Sequence, residues 1–247
     1  MLTRERSERR ERYERQIPLL GVDGQERIRD ANVFIAGAGG LGSPSAIYLA
    51  AAGIGKIVIA DFDTVDSSNL NRQILHWDGD VLRMKIDSAR EKLVKINPDV
   101  EIEVIAEKID EDNASELVGD SDLIVDAMDN FRARYLLNKV AIVRNTPLIH
   151  GAVHGFVGQV TTVIPGETAC MRCIFPNNPQ EGVFPIIGAT CGVVASIQVT
   201  EVLKYISCTG TLAANRLLFW DGAATTMSEI PVERDPGCVD CKGAGVD

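Results

Sequence analysis

Short apolar runs alternate with longer stretches of helical periodicity through the first 150 residues. Val33-Phe34-Ile35-Ala36, Lys56 to Ala60, Val100 to Ile105, Leu123 to Val125 and Pro147 to His150 have the length and β-branched content of strands. Between them, Ser43 to Ala52 is rich in Ala and Leu, and Phe131 to Val143 reads as helix. Leu82, Ile86, Ala89, Leu93 and Ile96 recur at helical spacing, which predicts a helix over Val81 to Ile96 that Asn97-Pro98 stops. Strand and helix in alternation imply an α/β fold: a doubly wound, mostly parallel sheet with helices on both faces. After about Gly151 the rhythm changes. Gln159 to Ile164 is β-branched, Gly192 to Ile206 is helical, and Arg216 to Trp220 with Met227 to Val232 read as closing antiparallel strands. With no linker in view, one continuous domain is expected: an N-terminal helical arm over 1–30, a first half over 31–150 and a C-terminal half over 151–247. Arg4 to Arg15 reads as a charged surface helix of that arm.

A chain of 247 residues with 45% hydrophobic and 24% charged residues can bury a large core. Its formal net charge of −10 argues against a general nucleic-acid or anionic-membrane binder. No apolar run approaches the ~20 residues that span a bilayer. Met1 to Gln16, dense in Arg and Glu, lacks a signal peptide's apolar centre and is too acidic for a transit peptide, so a cytoplasmic location is expected. Six cysteines stand at 170, 173, 191, 208, 238 and 241, and two pairs have Cys-x-x-Cys spacing. In a cytosolic chain that spacing reads as metal before disulfide.

The chemistry begins after the first strand, where Gly37-Ala38-Gly39-Gly40-Leu41-Gly42 leads into a helix. Gly37, Gly39 and Gly42 satisfy G-x-G-x-x-G, whose backbone can approach a phosphate held on a helix N-terminus. Asp61, 19 residues past Gly42 at the end of the second strand, stands where a ribose-binding acid belongs. No Walker loop occurs. An NAD enzyme needs a hydride-transfer site, which nothing marks. Charge suited to a triphosphate is marked instead: Arg72 offers a bidentate fork, Lys85 a point charge and Asn69 an amide. Asp129 ends a strand where a Mg²⁺-binding carboxylate would sit. Lys85 as a solvated helix lysine and Asp129 as the N-cap before Phe131 remain open at this point.

Gly37-Ala-Gly-Gly-Leu-Gly, Asp61-Phe-Asp, Asn69-Leu-Asn-Arg-Gln, Lys85 and Asp126-Ala-Met-Asp-Asn together resemble the ThiF/MoeB/HesA family, prokaryotic relatives of the ubiquitin-activating enzymes. The likeness extends from about Tyr13 to Cys241. It implies a Rossmann-like fold and ATP-dependent adenylation of the Gly-Gly carboxylate of a small ubiquitin-like sulfur carrier. By the same resemblance Gly40 lies against the phosphates and Asp61 binds the ribose. Asn69, Arg72 and Lys85 hold the triphosphate, Asp129 holds Mg²⁺, and Asp63, Ser68, Gln73 and Asn130 belong to the nucleotide site. Arg15 matches an arginine that reaches the ATP of a partner subunit, which implies a homodimer. No general base is needed, because a carboxylate is already ionised near neutral pH.

Cys170-Met-Arg-Cys173 and Cys238-Val-Asp-Cys241 form a Cys₄ set suited to a structural zinc clamp, a reading the family supports; a redox dithiol is the alternative. Some relatives carry a relay cysteine whose position falls near Glu181, where no cysteine stands. Cys191 is a nucleophile candidate if a helix N-terminus lowers its pKa, with a buried small-residue role as the plainer reading. His76, His150 and His154 lack ligand spacing. Adenylation of a small-molecule carboxylate and a non-catalytic NAD-binding module are the competing functions.

Overall fold

The computed structural model describes residues 11–177 and 184–243. An eight-stranded sheet organises them in the order β3-β2-β1-β4-β5-β6-β7-β8. After α1 (Ile17–Leu20) and α2 (Val22–Asp30) the chain runs β1 (Asn32–Ala36), α3 (Gly42–Ala52), β2 (Lys56–Ala60), α4 (Lys85–Ile96) and β3 (Glu101–Ile105). Next come α5 (Ala114–Val118), β4 (Leu123–Asp126), α6 (Phe131–Arg144) and β5 (Leu148–His154). The C-terminal half adds β6 (Val157–Val163), α7 (Met171–Ile174), α8 (Gly188–Ser207), β7 (Arg216–Asp221) and β8 (Thr226–Pro231). Strands β1 to β5 pair in parallel. From β5 onward every pairing is antiparallel.

The parallel strands are buried on both faces, so their side chains alternate between two cores. Val33, Ile35, Ile57, Ile59, Leu123, Val125 and Ile149 pack with α2, α3, α4 and α8. Phe34, Ala36, Val58, Ala60, Ile124 and Leu148 pack with α5 and α6 on the other face. This explains why their sequences read as unbroken apolar runs. Among the described residues no helix is long and apolar enough to cross a membrane.

Three predicted elements change. The helix expected over Val81 to Ile96 begins only at Lys85. Leu82 adopts φ 74° and lies exposed, while Leu82 N–H donates to the Val65 carbonyl and Lys85 N–H to that of Asp63, which ties the segment to the loop after β2. The helix expected from Gly192 starts four residues earlier, at Gly188, where the absent Cβ would meet Asn71 O at 2.3 Å. Of the charged arm, residues 1–10 lie outside the described residues, and helix ends by Tyr13.

Candidate nucleotide cleft and cysteine cluster

Strands β2 and β4 flank β1, and their crossovers leave on opposite faces, which opens a crevice at the C-terminal ends of the strands. A cleft of about 900 Å³ occupies that position. The loop after β1 forms its floor. Gly37 has φ 100°, a region open to glycine, and a Cβ there would lie 3.1 Å from the Ala127 carbonyl after β4. Gly40 threads between Cys191 and Arg72, where a Cβ would come within 3.0 Å of Cys191 Sγ and 3.6 Å of Arg72 Cγ. Gly42 is buried and is not a wall residue; its missing Cβ lets the first turn of α3 close on Gly37. Among the described residues no protein acceptor takes the N–H of Gly39 or Gly40.

Gly37, Gly39, Gly40, Asp61, Asp63, Arg72, Gln73, Lys85, Asp129, Asn130 and Cys191 all line this cleft. Asp61 accepts from Ala38 N–H at 2.8 Å and from Asp63 N–H at 2.8 Å, bracing the loop against the end of β2. Lys85 is not a solvated helix lysine: it is 5% exposed and pairs with Asp63 at 2.8 Å. Arg72 donates to the Ser68 carbonyl and to Asn71, both at 3.0 Å. Ser68 and Asn69 are not wall residues; the Asn69 side chain accepts from Asp66 N–H in a capping box. The N-cap of α6 is Asn130, which accepts from Ala133 N–H at 2.9 Å, so Asp129 is left exposed beside the cleft and, among the described residues, holds only the Asn130 amide on its carboxylate.

Cys191 lies inside the first turns of α8, 1% exposed. Burial pushes its thiol up, opposed by the Arg72 guanidinium. The segment around Glu181 lies outside the described residues. Arg15 is exposed on a segment whose neighbours pack on the C-terminal ends of α3 and α4: Gln16 donates to the Ala52 carbonyl and Arg12 to that of Ile96. Those ends lie a helix length, ~16 Å, from the cleft.

Sequence reasoning missed Arg134. It lines the cleft, donates to the Met128 carbonyl, and lies 3.8 Å from the fully buried Asp126. Burial works against its charge, and Asp126 and Asp129 favour it. The signal was its spacing, one helical turn beyond Asn130, which returns the side chain to the strand end. His150 donates through Nδ1 to Asp126 at 2.7 Å while its Nε2 accepts from Gln159. Burial holds that imidazole below its usual range despite Asp126.

The two Cys-x-x-Cys pairs, separated by 64 intervening residues, meet between α7 and the segment after β8. Their four Sγ atoms lie within 4.8 Å of one another, with 3.8, 3.6 and 3.5 Å for Cys170–Cys173, Cys170–Cys238 and Cys173–Cys241. Tetrahedral Zn²⁺ with ligands at 2.3 Å sets its sulfurs about 3.8 Å apart. The cluster is therefore compatible with zinc. A redox dithiol would need two sulfurs, and here four converge.

Comparison with known proteins follows the same lines. The chain is 42% identical over 245 residues to the SAMP-activating enzyme E1 of Haloferax volcanii, covering 96% of this chain and 90% of that protein. It is 36% identical over 243 residues to the sulfur carrier protein ThiS adenylyltransferase of Escherichia coli, covering 96% of each. Among solved structures it is similar to E. coli MccB with AMPCPP and MccA, with TM-score 0.83 at 25% identity over 89% of this chain and 69% of that one. The ThiF family model matches residues 13–240. A match that spans residues 13–240, from the segment before α1 into the last cysteine pair, carries one conclusion: the chain belongs to the ThiF family.

Proposed function

We propose that the cleft adenylates the C-terminal Gly-Gly carboxylate of a ubiquitin-like sulfur-carrier protein with Mg·ATP, releasing pyrophosphate. The observation that carries this reading is the convergence of free loop N–H groups, Arg72 and Lys85 on one cleft, with Asp129 at its rim. Carboxylate and ATP repel, so the reaction needs positive charge around the α-phosphate and the leaving pyrophosphate. Gly39 and Gly40 offer N–H donors at the start of α3, and Arg72 and Lys85 bring full charges. Asp61 orients the loop and binds the ribose. Mg²⁺ bound by Asp129 would neutralise phosphate charge. The relatives named for carrier adenylation are similar over nearly the full chain, which supports the carrier as acceptor. Carrier-dependent exchange of pyrophosphate into ATP tests the proposal. ATP binding without exchange for any Gly-Gly-tailed carrier overturns it, and AMP release with a small carboxylate alone redirects it.

Two finer parts belong to this reading. Zinc held by Cys170, Cys173, Cys238 and Cys241 is structural, because four thiolates leave no open coordination position. Arg15 completes the cleft of a second subunit in a homodimer: its placement at the far end of α3 and α4 keeps it from its own cleft. Mixing Arg15→Ala with Lys85→Met protein would then restore about a quarter of wild-type exchange, since half the dimers are mixed and each has one intact site. Additive residual rates would argue for a site built within one chain.

A further inference from the structure

We propose that His76 is a positioning residue for ATP: through the Ala38 carbonyl it aims the Gly39 N–H at the phosphates. This rests on the nucleotide reading of the cleft. His76 is 3% exposed and does not itself line the cleft. Its Nε2 lies 3.0 Å from the Ala38 carbonyl oxygen and its Nδ1 2.8 Å from Ser88 Oγ. A carbonyl only accepts, so Nε2 carries the proton. In the neutral ring Nδ1 must then accept, and the Ser88 hydroxyl donates to it.

Ser88 is committed to that role from behind. Lys92 Nζ donates to Ser88 Oγ at 2.8 Å and to Asp80 at 2.5 Å, so the hydroxyl proton is left for His76. Asp80 is in turn held by Arg83 and by the Trp77 N–H. The charged groups that face the ring are Lys85 and Lys92 on α4 and Asp61 at the end of β2. Burial pushes the imidazole below its usual range, and the two lysines add to this against Ala38 and Asp61. The ring therefore stays neutral, in one tautomer, at neutral pH.

The consequence follows from the planarity of the peptide unit. In a trans peptide the carbonyl and the following N–H point in opposite directions. The Ala38 carbonyl is drawn into the protein by His76 and by Ser43 Oγ at 3.1 Å, while Ala38 N–H is held by Asp61 at 2.8 Å. The Gly39 N–H, on the far side of the same peptide plane as that carbonyl, is thus turned outward, with no protein acceptor among the described residues. His76 contributes to phosphate binding without touching ATP.

The test compares full-length wild type, His76→Phe, which keeps ring volume and loses the donor, and His76→Gln, whose amide reaches the same carbonyl. Calorimetry gives Kd for Mg·ATP, and carrier-dependent exchange gives kcat. His76→Phe should weaken ATP roughly tenfold with kcat within about threefold, and His76→Gln should lie within about twofold of wild type. The chain has three histidines, so ¹⁵N imidazole NMR of wild-type protein reads the ring directly. A neutral Nε2–H ring is expected for His76. An Nδ1–H ring overturns the proposal even where His76→Phe does not fold. So does His76→Phe with unchanged Kd, or equal weakening by both variants. Wild-type protein that fails to bind Mg·ATP removes the nucleotide reading and this inference together.

Discussion

Gly42→Ala separates the shape of the phosphate loop from its charge. A Cβ at Gly42 would sit 1.9 Å from Gly37 O and 2.8 Å from Gly37 C, both backbone atoms, whereas real Cβ contacts essentially never fall below 3.0 Å. Gly37 must therefore retreat by more than about 1 Å, yet its N–H is bonded to the Ala60 carbonyl at 2.9 Å. Overpacking of this kind costs about 1–3 kcal/mol, and the better helix propensity of alanine offsets up to about 1 kcal/mol. The net cost, up to about 3 kcal/mol, lowers Tm by up to roughly 12 °C in a chain of this size. Moving the loop by about 1 Å should cost about a hundredfold in exchange rate. Gly39→Ala is the control, because a Cβ there meets nothing closer than Gln73 Nε2 at 3.7 Å. It should keep the wild-type Tm and lose ATP affinity through a methyl on the cleft floor. Scanning fluorimetry and pyrophosphate exchange measure both variants. A Gly42→Ala protein with wild-type Tm and rate would refute the steric reasoning.

Three further outcomes are expected. Lys85→Met removes a charge worth about 4 kcal/mol against a phosphate oxygen at an effective dielectric of 20; after the Asp63 pair is allowed for, exchange should fall about 10²–10³-fold with a small change in Tm, and retention of more than a tenth of the rate would count against its role. Metal analysis should find one zinc per chain in wild type and none in Cys170→Ser, with stability falling by several kcal/mol; metal-free protein of unchanged Tm removes the clamp. Burial pushes the Asp80 carboxyl up, but Lys92 and the Trp77 N–H outweigh it and bring it from 3.8 to about 2. A depressed acid contributes stability above its unfolded pKa and loses it as pH falls, so about 2 kcal/mol should vanish between about pH 4 and pH 2. Asp80→Asn should flatten that acid limb in urea melts; an unchanged limb contradicts the assignment.

The parallel half of the sheet was legible because strands buried on both faces must be apolar at every position, as in Val33 to Ala36. The cysteine site was legible because two Cys-x-x-Cys pairs in one chain supply the four thiolates of a tetrahedral metal site. Helix starts were harder. Leu82 fits the apolar period of α4, and only the tertiary pull of Val65 and Asp63 on the backbone takes it out of the helix. Asp129 and Asn130 are both good caps, and the choice between them depends on which side chain reaches Ala133 N–H. His76 carries no local signal of burial. Its partners Ser88 and Ala38 meet it only after the sheet and its flanking helices have assembled.

Gln198, fully buried on α8, donates to the carbonyls of Asp126 at 2.8 Å and Ile149 at 3.1 Å. Gly151 opposite it leaves no room for a Cβ, which would stand 2.4 Å from the Gln198 amide carbon. One side chain thus rivets the helix of the C-terminal half to the strand ends that carry the nucleotide cleft. The two halves are tied together at this seam. A change at Gln198 therefore bears on the strand end beside the cleft as well as on α8.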